Sequence, residues 1–471
     1  MEIFHLSAEC YPVAKVGGLA DVVGALPKYL QNLGHVAKVV VPGYDNKFNN
    51  AHQFDSIHHG KLRLGNFIFS YHVQKEQKDI LGFPLYIITI PELFDRPNVY
   101  SYADDTERFT AFQIAFLNWL TESKQVPDLI HCHDHHTALV PFMVQFAFQY
   151  EALKRVPTVL TIHNGQYQGW FGFDKLHYLP NFPLSVSGFL EWNNTINPLA
   201  AGIKCAWKVT TVSPSYLDEM SWDANGLENL LRFERHKSIG ILNGIDTEVW
   251  NPATDPMIEF HYDETSFETG KKANKQWLCE QFDLDIDLPL FVFIGRFVGE
   301  KGAELLPQVV REALTHFPNQ LNILILGSGD TSVENQLEYL NSLKSKHFGV
   351  YIGYNETLAH RIYAGADYIL MPSRVEPCGL NQLYALRYGT IPLVRRIGGL
   401  KDTVLDIGDG GWGFCHDHVS VNDINHTIYR AIELYKTPEK RAKIQKYSMQ
   451  INHSWDKVAQ EYVDLYTSLI Q

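Results

Sequence analysis

The stretch Tyr368-Ile-Leu-Met-Pro-Ser-Arg-Val-Glu376-Pro-Cys-Gly-Leu380-Asn-Gln382 decides the fold. A hydrophobic run, 368–371, enters a Pro-Ser turn, passes an Arg and a Glu, and opens a helical pattern over 380–388. Strand, turn and helix in that order form one βα unit of a parallel sheet. A helix starting just beyond a strand end points unpaired backbone N–H groups at whatever lies there, a seat for a phosphate or a sugar hydroxyl. Glu376, just before the helix, can accept hydrogen bonds from hydroxyls.

The same alternation extends in both directions. It predicts strands near 3–7, 35–41, 85–90, 129–132, 158–162, 209–212 and 240–242, with helices at 21–33 and 107–121 between them. The pattern stops near Ile245-Asp-Thr-Glu-Val-Trp-Asn-Pro252, and a polar, acidic stretch follows, 255–287. A second series then predicts strands at 290–294, 321–326, 350–352, 368–371 and 391–394, with helices at 303–315, 333–344, 358–364 and 380–388. The expected fold is α/β, with two doubly wound Rossmann-like domains and a hinge near 244–260. Ligands of such sheets sit outside the carboxyl ends of the strands. If the two domains face each other, the site is the cleft between them.

Composition bounds the function. The chain has 471 residues, 45% hydrophobic and 20% charged, which is ordinary for a soluble globular protein of several domains. A net charge of −13 argues against nucleic acid or an anionic membrane as a general partner. The N-terminus carries no signal-peptide pattern, and no apolar run is long enough to span a bilayer. Six scattered cysteines without a CxxC fit reduced thiols, hence a cytoplasmic protein.

Three constellations bear chemistry. Lys15-Val-Gly-Gly-Leu-Ala-Asp21 lies between the first strand and the first helix. Gly17 and Gly18 permit close backbone approach to a ligand and positive φ, and Lys15 offers a point charge. The GxGxxG dinucleotide fingerprint is missing, which sets aside a nicotinamide oxidoreductase. Phe293-Ile-Gly-Arg296-Phe-Val-Gly-Glu-Lys301-Gly302 occupies the corresponding loop of the second series, where Arg296 and Lys301 form a candidate diphosphate clamp. His131-Cys-His-Asp-His-His136 leaves a strand, so its alternate side chains point oppositely. Neither a Cys pair nor a His-Glu-x-x-His helix accompanies it, and core or capping histidines are favoured over a metal site. His136 opens a predicted helix at 136–146. Lesser signals are Thr161-Ile-His163-Asn, ending a strand, Asn243-Gly-Ile-Asp246, at the hinge, and Gly353-Tyr354-Asn-Glu356.

Together these motifs resemble the bacterial glycogen synthase and plant starch synthase family. The match begins at Ser7-Ala-Glu-Cys-Tyr-Pro and reaches Thr403. It includes Tyr102-Ala-Asp104-Asp-Thr-Glu-Arg108-Phe109, Thr211-Val-Ser-Pro and the run through Asn243 to Pro252. The resemblance implies the B-type glycosyltransferase fold: an N-terminal acceptor-side domain (1–250), a C-terminal nucleotide-sugar domain (251–450) and a terminal helix (451–471) crossing back. It implies retaining transfer of glucose from ADP-glucose to the non-reducing end of an α-1,4-glucan, with no cofactor and no metal. By motif, Lys15, Gly17 and Gly18 approach the diphosphate and glucose, and Arg296 and Lys301 neutralise the diphosphate. His136 and Glu376 fall at the glucose, the Gly379 and Leu380 amides beside Cys378 at sugar or phosphate, and Tyr354 at the base. Asp21, Asp104, His163 and Asn243 are further candidates around the substrate. The chain departs from the usual family pattern at His135 (Trp), Thr137 (Ala) and Val16 (often Thr).

Two other readings share the fold: transfer from UDP-glucose or to a small acceptor, and a non-catalytic glucan-binding protein. Oligomeric state is not encoded in any of these motifs.

Overall fold

A computed structural model describes residues 1–470. The chain divides into two compact units, residues 1–244 with 455–471, and residues 245–454. The divisions fall after Gly244 and Ser454, against the expected 250 and 450.

The first unit is built on a nine-stranded sheet. Its strands are β1 (Glu2–Leu6), β2 (Val36–Pro42), β3 (Phe54–Leu64), β4 (Phe67–Glu76), β5 (Leu85–Thr89), β6 (Leu129–His133) and β7 (Thr158–Ile162), then β10 (Lys208–Thr211) and β11 (Ser238–Gly240). A two-residue ribbon, β8 (Glu191–Trp192) with β9 (Thr195–Ile196), stands apart. The order is β11-β10-β7-β6-β1-β2-β5-β4-β3. All pairs are parallel except β3–β4 and β4–β5. The β3–β4 hairpin was not expected; it lies at the sheet edge, and β3 buries few side chains until Leu62 and Leu64, so its apolar alternation is weak.

The central strands are buried along their length, as β1 (Glu-Ile-Phe-His-Leu) shows from Ile3 onward. One face is covered by the helix Gly18–Asn32 and by the last helix, Trp455–Ile470. The latter buries Trp455, Val458, Ala459, Tyr462 and Tyr466, an i, i+3, i+4 stripe, among Ile3, Val22, Leu26 and Leu30. Each large side chain so covered contributes about 1.5–3 kcal/mol. Tyr466 adds a polar anchor, its hydroxyl 2.7 Å from His131 Nδ1.

The second unit holds a wholly parallel six-stranded sheet: β12 (Leu290–Phe297), β13 (Asn322–Gly329), β14 (Phe348–Ile352), β15 (Tyr368–Met371), β16 (Ile391–Arg395) and β17 (Phe414–His416). The order is β14-β13-β12-β15-β16-β17, with an apolar core on each face. The acidic stretch 255–287, where the pattern was expected to stop, contains a 16-residue helix, Phe267–Phe282. Lys271, Asn274 and Lys275 lie on its buried face, so its period is invisible to an apolar count. Lys271 Nζ donates to the carbonyls of Ala364 (3.1 Å) and Tyr388 (3.1 Å) and to Thr390 Oγ1 (2.8 Å). Lys275 pairs with Asp367 at 2.8 Å. Among the described residues, no helix is long and apolar enough to cross a membrane, and all six cysteines are buried and unbridged.

Candidate active site

Among the parallel strands of each sheet the order reverses once, and the loops beyond that crossover hold the candidate residues. In the first unit the crossover lies between β1 and β6; in the second, between β12 and β15.

The loop after β1 is organised by Glu9. This buried carboxylate accepts the backbone N–H of Val16 and, at 2.9 Å, that of Gly17. It also accepts the Tyr100 hydroxyl at 2.7 Å. Burial pushes the Glu9 carboxyl up from its ordinary value, while the hydrogen bonds from Tyr100 and the loop amides oppose that rise. Lys15 Nζ is 2.7 Å from Asp21 Oδ1 and 5.0 Å from the Tyr11 ring centroid, so the cation is held from two sides. Positive φ, expected of the glycine pair, is not used: Gly17 is extended (φ −143°, ψ −167°) and Gly18 begins the helix. A Cβ added at either would meet nothing within 4 Å, so packing does not require glycine there. The missing side chains leave bare backbone facing open space, the condition for close approach of a ligand.

The loop after β6 differs from the expected helix at 136–146, which begins instead at Val140. Thr137 causes the delay: its hydroxyl accepts the His133 N–H at 2.7 Å and donates to the His133 carbonyl at 2.9 Å, folding 133–137 into a turn. Asp134 sits in that turn at φ +57°. Its Oδ1 accepts the backbone N–H of His163 at 2.7 Å and of Asn164 at 3.4 Å, tying this loop to the one after β7. Burial pushes the Asp134 carboxyl up to about 7. The His136 ring stacks on Tyr100 (centroids 4.6 Å apart, 19°) and meets the edge of Phe109 at 4.5 Å. Burial holds His136 neutral, and its Nδ1 has no partner. His135 lies against Gly169, where a Cβ would come within 2.5 Å of the imidazole at a φ of +69°. Glycine is required there.

His5, His131 and His133 bring ring nitrogens within 4.8 Å of one another. Both nitrogens of His131 have protein partners, Tyr466 Oη (2.7 Å) and Thr161 Oγ1 (2.6 Å). Those of His133 face His5 (3.2 Å) and His163 (3.0 Å). The residue types suit a cation, but every ring nitrogen of the three already has a hydrogen-bond partner except His5 Nε2.

Glu9 and Tyr100 thus join Lys15, Gly17, Gly18, Asp21 and His136 into one network, and Asp134 brings in His163. Asp104 stands apart in a bidentate pair with Arg96 (2.7 and 2.8 Å), whose guanidinium holds the carboxyl below its ordinary range. Asn243 is buried, with its Oδ1 unpartnered.

In the second unit, Lys301 Nζ lies 2.7 Å from each oxygen of Glu376. The Ser373 hydroxyl donates to Glu376 Oε2 at 2.8 Å. The Glu300 carbonyl accepts the N–H groups of Arg374 (2.8 Å) and Val375 (3.1 Å), binding the two crossover loops together. Gly302 makes this possible: at φ +66°, a Cβ would stand 2.5 Å from the Pro372 carbonyl. Gly398 and Gly399 pack as tightly behind the acidic turn, their absent Cβ positions 2.0 Å from the Glu376 carbonyl and 2.1 Å from that of Cys378. Cys378 is buried, Gly379 has φ +74°, and Leu380 caps the helix Asn381–Arg387. The Gln382 amide donates to the Cys378 and Gly379 carbonyls, both at 3.0 Å, fixing the turn from inside. Arg296 is exposed near the end of β12, and Tyr354 is 74% exposed just beyond β14.

Glu9, Tyr100, Asp134 and Ser373 were missed by sequence reasoning. Glu9 and Asp134 lie inside motifs already singled out, but their partners are loops distant in sequence. Only the fold shows the pairing.

Residues 2–233 match the starch synthase catalytic domain family and residues 279–450 match glycosyl transferases group 1. The chain is 60% identical over 471 residues to a glycogen synthase of Flavobacterium johnsoniae, covering all of both chains. It is 38% identical over 486 residues, again covering all of both, to a glycogen synthase of Streptococcus pneumoniae. The catalytic domain of starch synthase IV from Arabidopsis thaliana, solved with ADP and acarbose, superposes with a TM-score of 0.91 at 32% identity. That match covers 100% of this chain and 99% of the other.

Proposed function

The chain belongs to the glycogen synthase and starch synthase family of B-type glycosyltransferases, and from that premise we propose that it extends an α-1,4-glucan by retaining transfer of glucose from ADP-glucose. The pairing of Lys301 with Glu376 at the β12/β15 crossover carries this reading. It places a cation suited to a diphosphate beside a carboxylate suited to sugar hydroxyls.

The leaving nucleoside diphosphate gains charge as the glucosyl carbon becomes oxocarbenium-like. Fixed cations stabilise that charge without reorganising. We assign this to Arg296 and Lys301 of the second unit, with Tyr354 against the base and the Gly379–Leu380 amides beside Cys378 at sugar or phosphate. From the first unit we assign Lys15, Gly17 and Gly18 to the diphosphate and glucose, and His136 and His163 to the glucose. Asp21 holds Lys15; Asp104 and Asn243 are assigned to the surroundings of the substrate. In this scheme no metal or cofactor is needed. Six buried, unbridged thiols suit a reducing cytoplasm.

The test is to mix the protein with glycogen and either ADP-glucose or UDP-glucose, in the presence of EDTA, and follow nucleoside diphosphate release and glucan growth. Growth with ADP-glucose is expected. Growth with UDP-glucose alone overturns the donor assignment, and release with neither overturns the synthase reading.

A further inference from the structure

A line of three imidazoles runs from β1 through β6 to the loop beyond β7. His5 Nδ1 is 3.2 Å from His133 Nε2, and His133 Nδ1 is 3.0 Å from His163 Nε2. Strand register sets this up. His5 lies opposite His131 on β6, and His133 lies opposite Thr161 on β7, two residues before His163. His5 and His133 are fully buried and His163 nearly so. The far nitrogen of the line, His5 Nε2, is buried without a hydrogen-bond partner.

Burial drives His5 and His163 down to about 3 and His133 well below its ordinary value, so at neutral pH each ring is neutral, with one N–H and one lone pair. A hydrogen bond between two such rings needs a proton on one side only. Buried orphan N–H groups are rarer in proteins than under-satisfied acceptors. The unpartnered His5 Nε2 is therefore the lone pair, and the His5 proton is on Nδ1. His133 must then accept at Nε2 and carry its own proton on Nδ1. His163 in turn accepts at Nε2.

We propose that His5 and His133 are positioning residues that lock His163 in the Nδ1–H tautomer, so that it offers its ligand a hydrogen-bond donor rather than a lone pair. This rests on the assignment of His163 to the nucleotide-sugar site made above. The ligand's surface there is hydroxyl and phosphate oxygen. A donor suits both, whereas a lone pair would repel phosphate and accept only from a hydroxyl.

Neutron diffraction from perdeuterated crystals at neutral pD reads the tautomers directly. Deuterons are expected on Nδ1 of His5, His133 and His163, with Nε2 bare on each. A deuteron on His163 Nε2, a doubly deuterated ring in the line, or a metal ion among His5, His131 and His133 overturns the proposal. The functional arm is a double-mutant cycle. His133→Leu is expected to lower kcat/KM for the donor on the order of tenfold in the wild-type background and to add nothing in His163→Ala. Additive losses mean that His133 does not act through His163 and also overturn it. Wild-type turnover by His163→Ala, with the deuterons as expected, instead sinks the assignment of His163 to the substrate while the tautomer line stands.

Discussion

Lys301 and Glu376 lie 75 residues apart in sequence, yet the ammonium nitrogen sits 2.7 Å from both carboxylate oxygens. The Glu376 side chain is 6% exposed and that of Lys301 27%. The carboxylate is therefore the buried partner and depends on the lysine more than the lysine depends on it. Removing one partner of such a pair leaves an uncompensated buried charge. Lys301→Ala is expected to lower the thermal midpoint and to cut turnover about 100-fold or more, by the usual cost of deleting one charge-stabilising group. Glu376→Ala should lose activity by at least as much with a smaller change in midpoint. Melting curves with diphosphate-release assays check both; near-normal turnover in the two variants would remove this pair from the chemistry.

Gly17 and Gly398 contrast a glycine that packing does not require with one that the fold does. Gly17 has negative φ and open space where a Cβ would go. Gly17→Ala should leave the midpoint unchanged while raising the KM for ADP-glucose. Gly398 has φ +46°, and a Cβ there would lie 2.0 Å from the Glu376 carbonyl. Gly398→Ala should be destabilised and inactive together. Equal behaviour of the two variants, in midpoint and in KM, would contradict the distinction.

Tyr354 is three-quarters exposed, so its truncation removes little packing. If it stacks on the donor's base, Tyr354→Ala should weaken donor binding by about 1–3 kcal/mol, the range for one base–aromatic contact. Unfolding should not change. Calorimetric titration with ADP measures the loss, and unchanged affinity would place the base elsewhere.

Asp255 supplies a pH dependence. It is 1% exposed, 2.7 Å from His360 Nδ1, and accepts the Tyr388 hydroxyl. Burial alone would raise its carboxyl, but the hydrogen bonds from His360 and Tyr388 prevail and hold it below the ordinary carboxylate value. A carboxyl depressed in the folded state contributes stability that is present above its unfolded value. That contribution is lost as pH falls through the folded value. The melting midpoint should therefore drop as pH falls below about 4, and this component of the slope should be missing in Asp255→Asn. An unaltered slope in the variant would assign the acid sensitivity to other groups.

Much of the fold is legible in the chain because parallel strands buried on both faces read as continuous apolar runs, as in 368–371 and 290–294. The helix Phe267–Phe282 is not, because two lysines and an asparagine interrupt the apolar residues of its inward face. Carbonyls, hydroxyls and Asp367 satisfy the two lysines, and all of these partners but the Leu288 carbonyl lie far along the chain. Of the site, residue types and loop positions were readable at Lys15, Arg296, Lys301 and Glu376. The carboxylate that shapes the glycine loop, Glu9, was not. Its acceptor role exists only once residues 16, 17 and 100 are gathered around it.

By itself the sequence determined the element order, the α/β class and the loops that carry charge, because hydrophobic period and turn chemistry act over a few residues. Only the tertiary structure decided which of those loops meet. It paired Lys301 with Glu376, closed Gly302 and Gly398 against carbonyls, and lined His5, His133 and His163 into one hydrogen-bonded row. Strand order and register set these contacts, and they depend on the whole sheet rather than on any local run of residues.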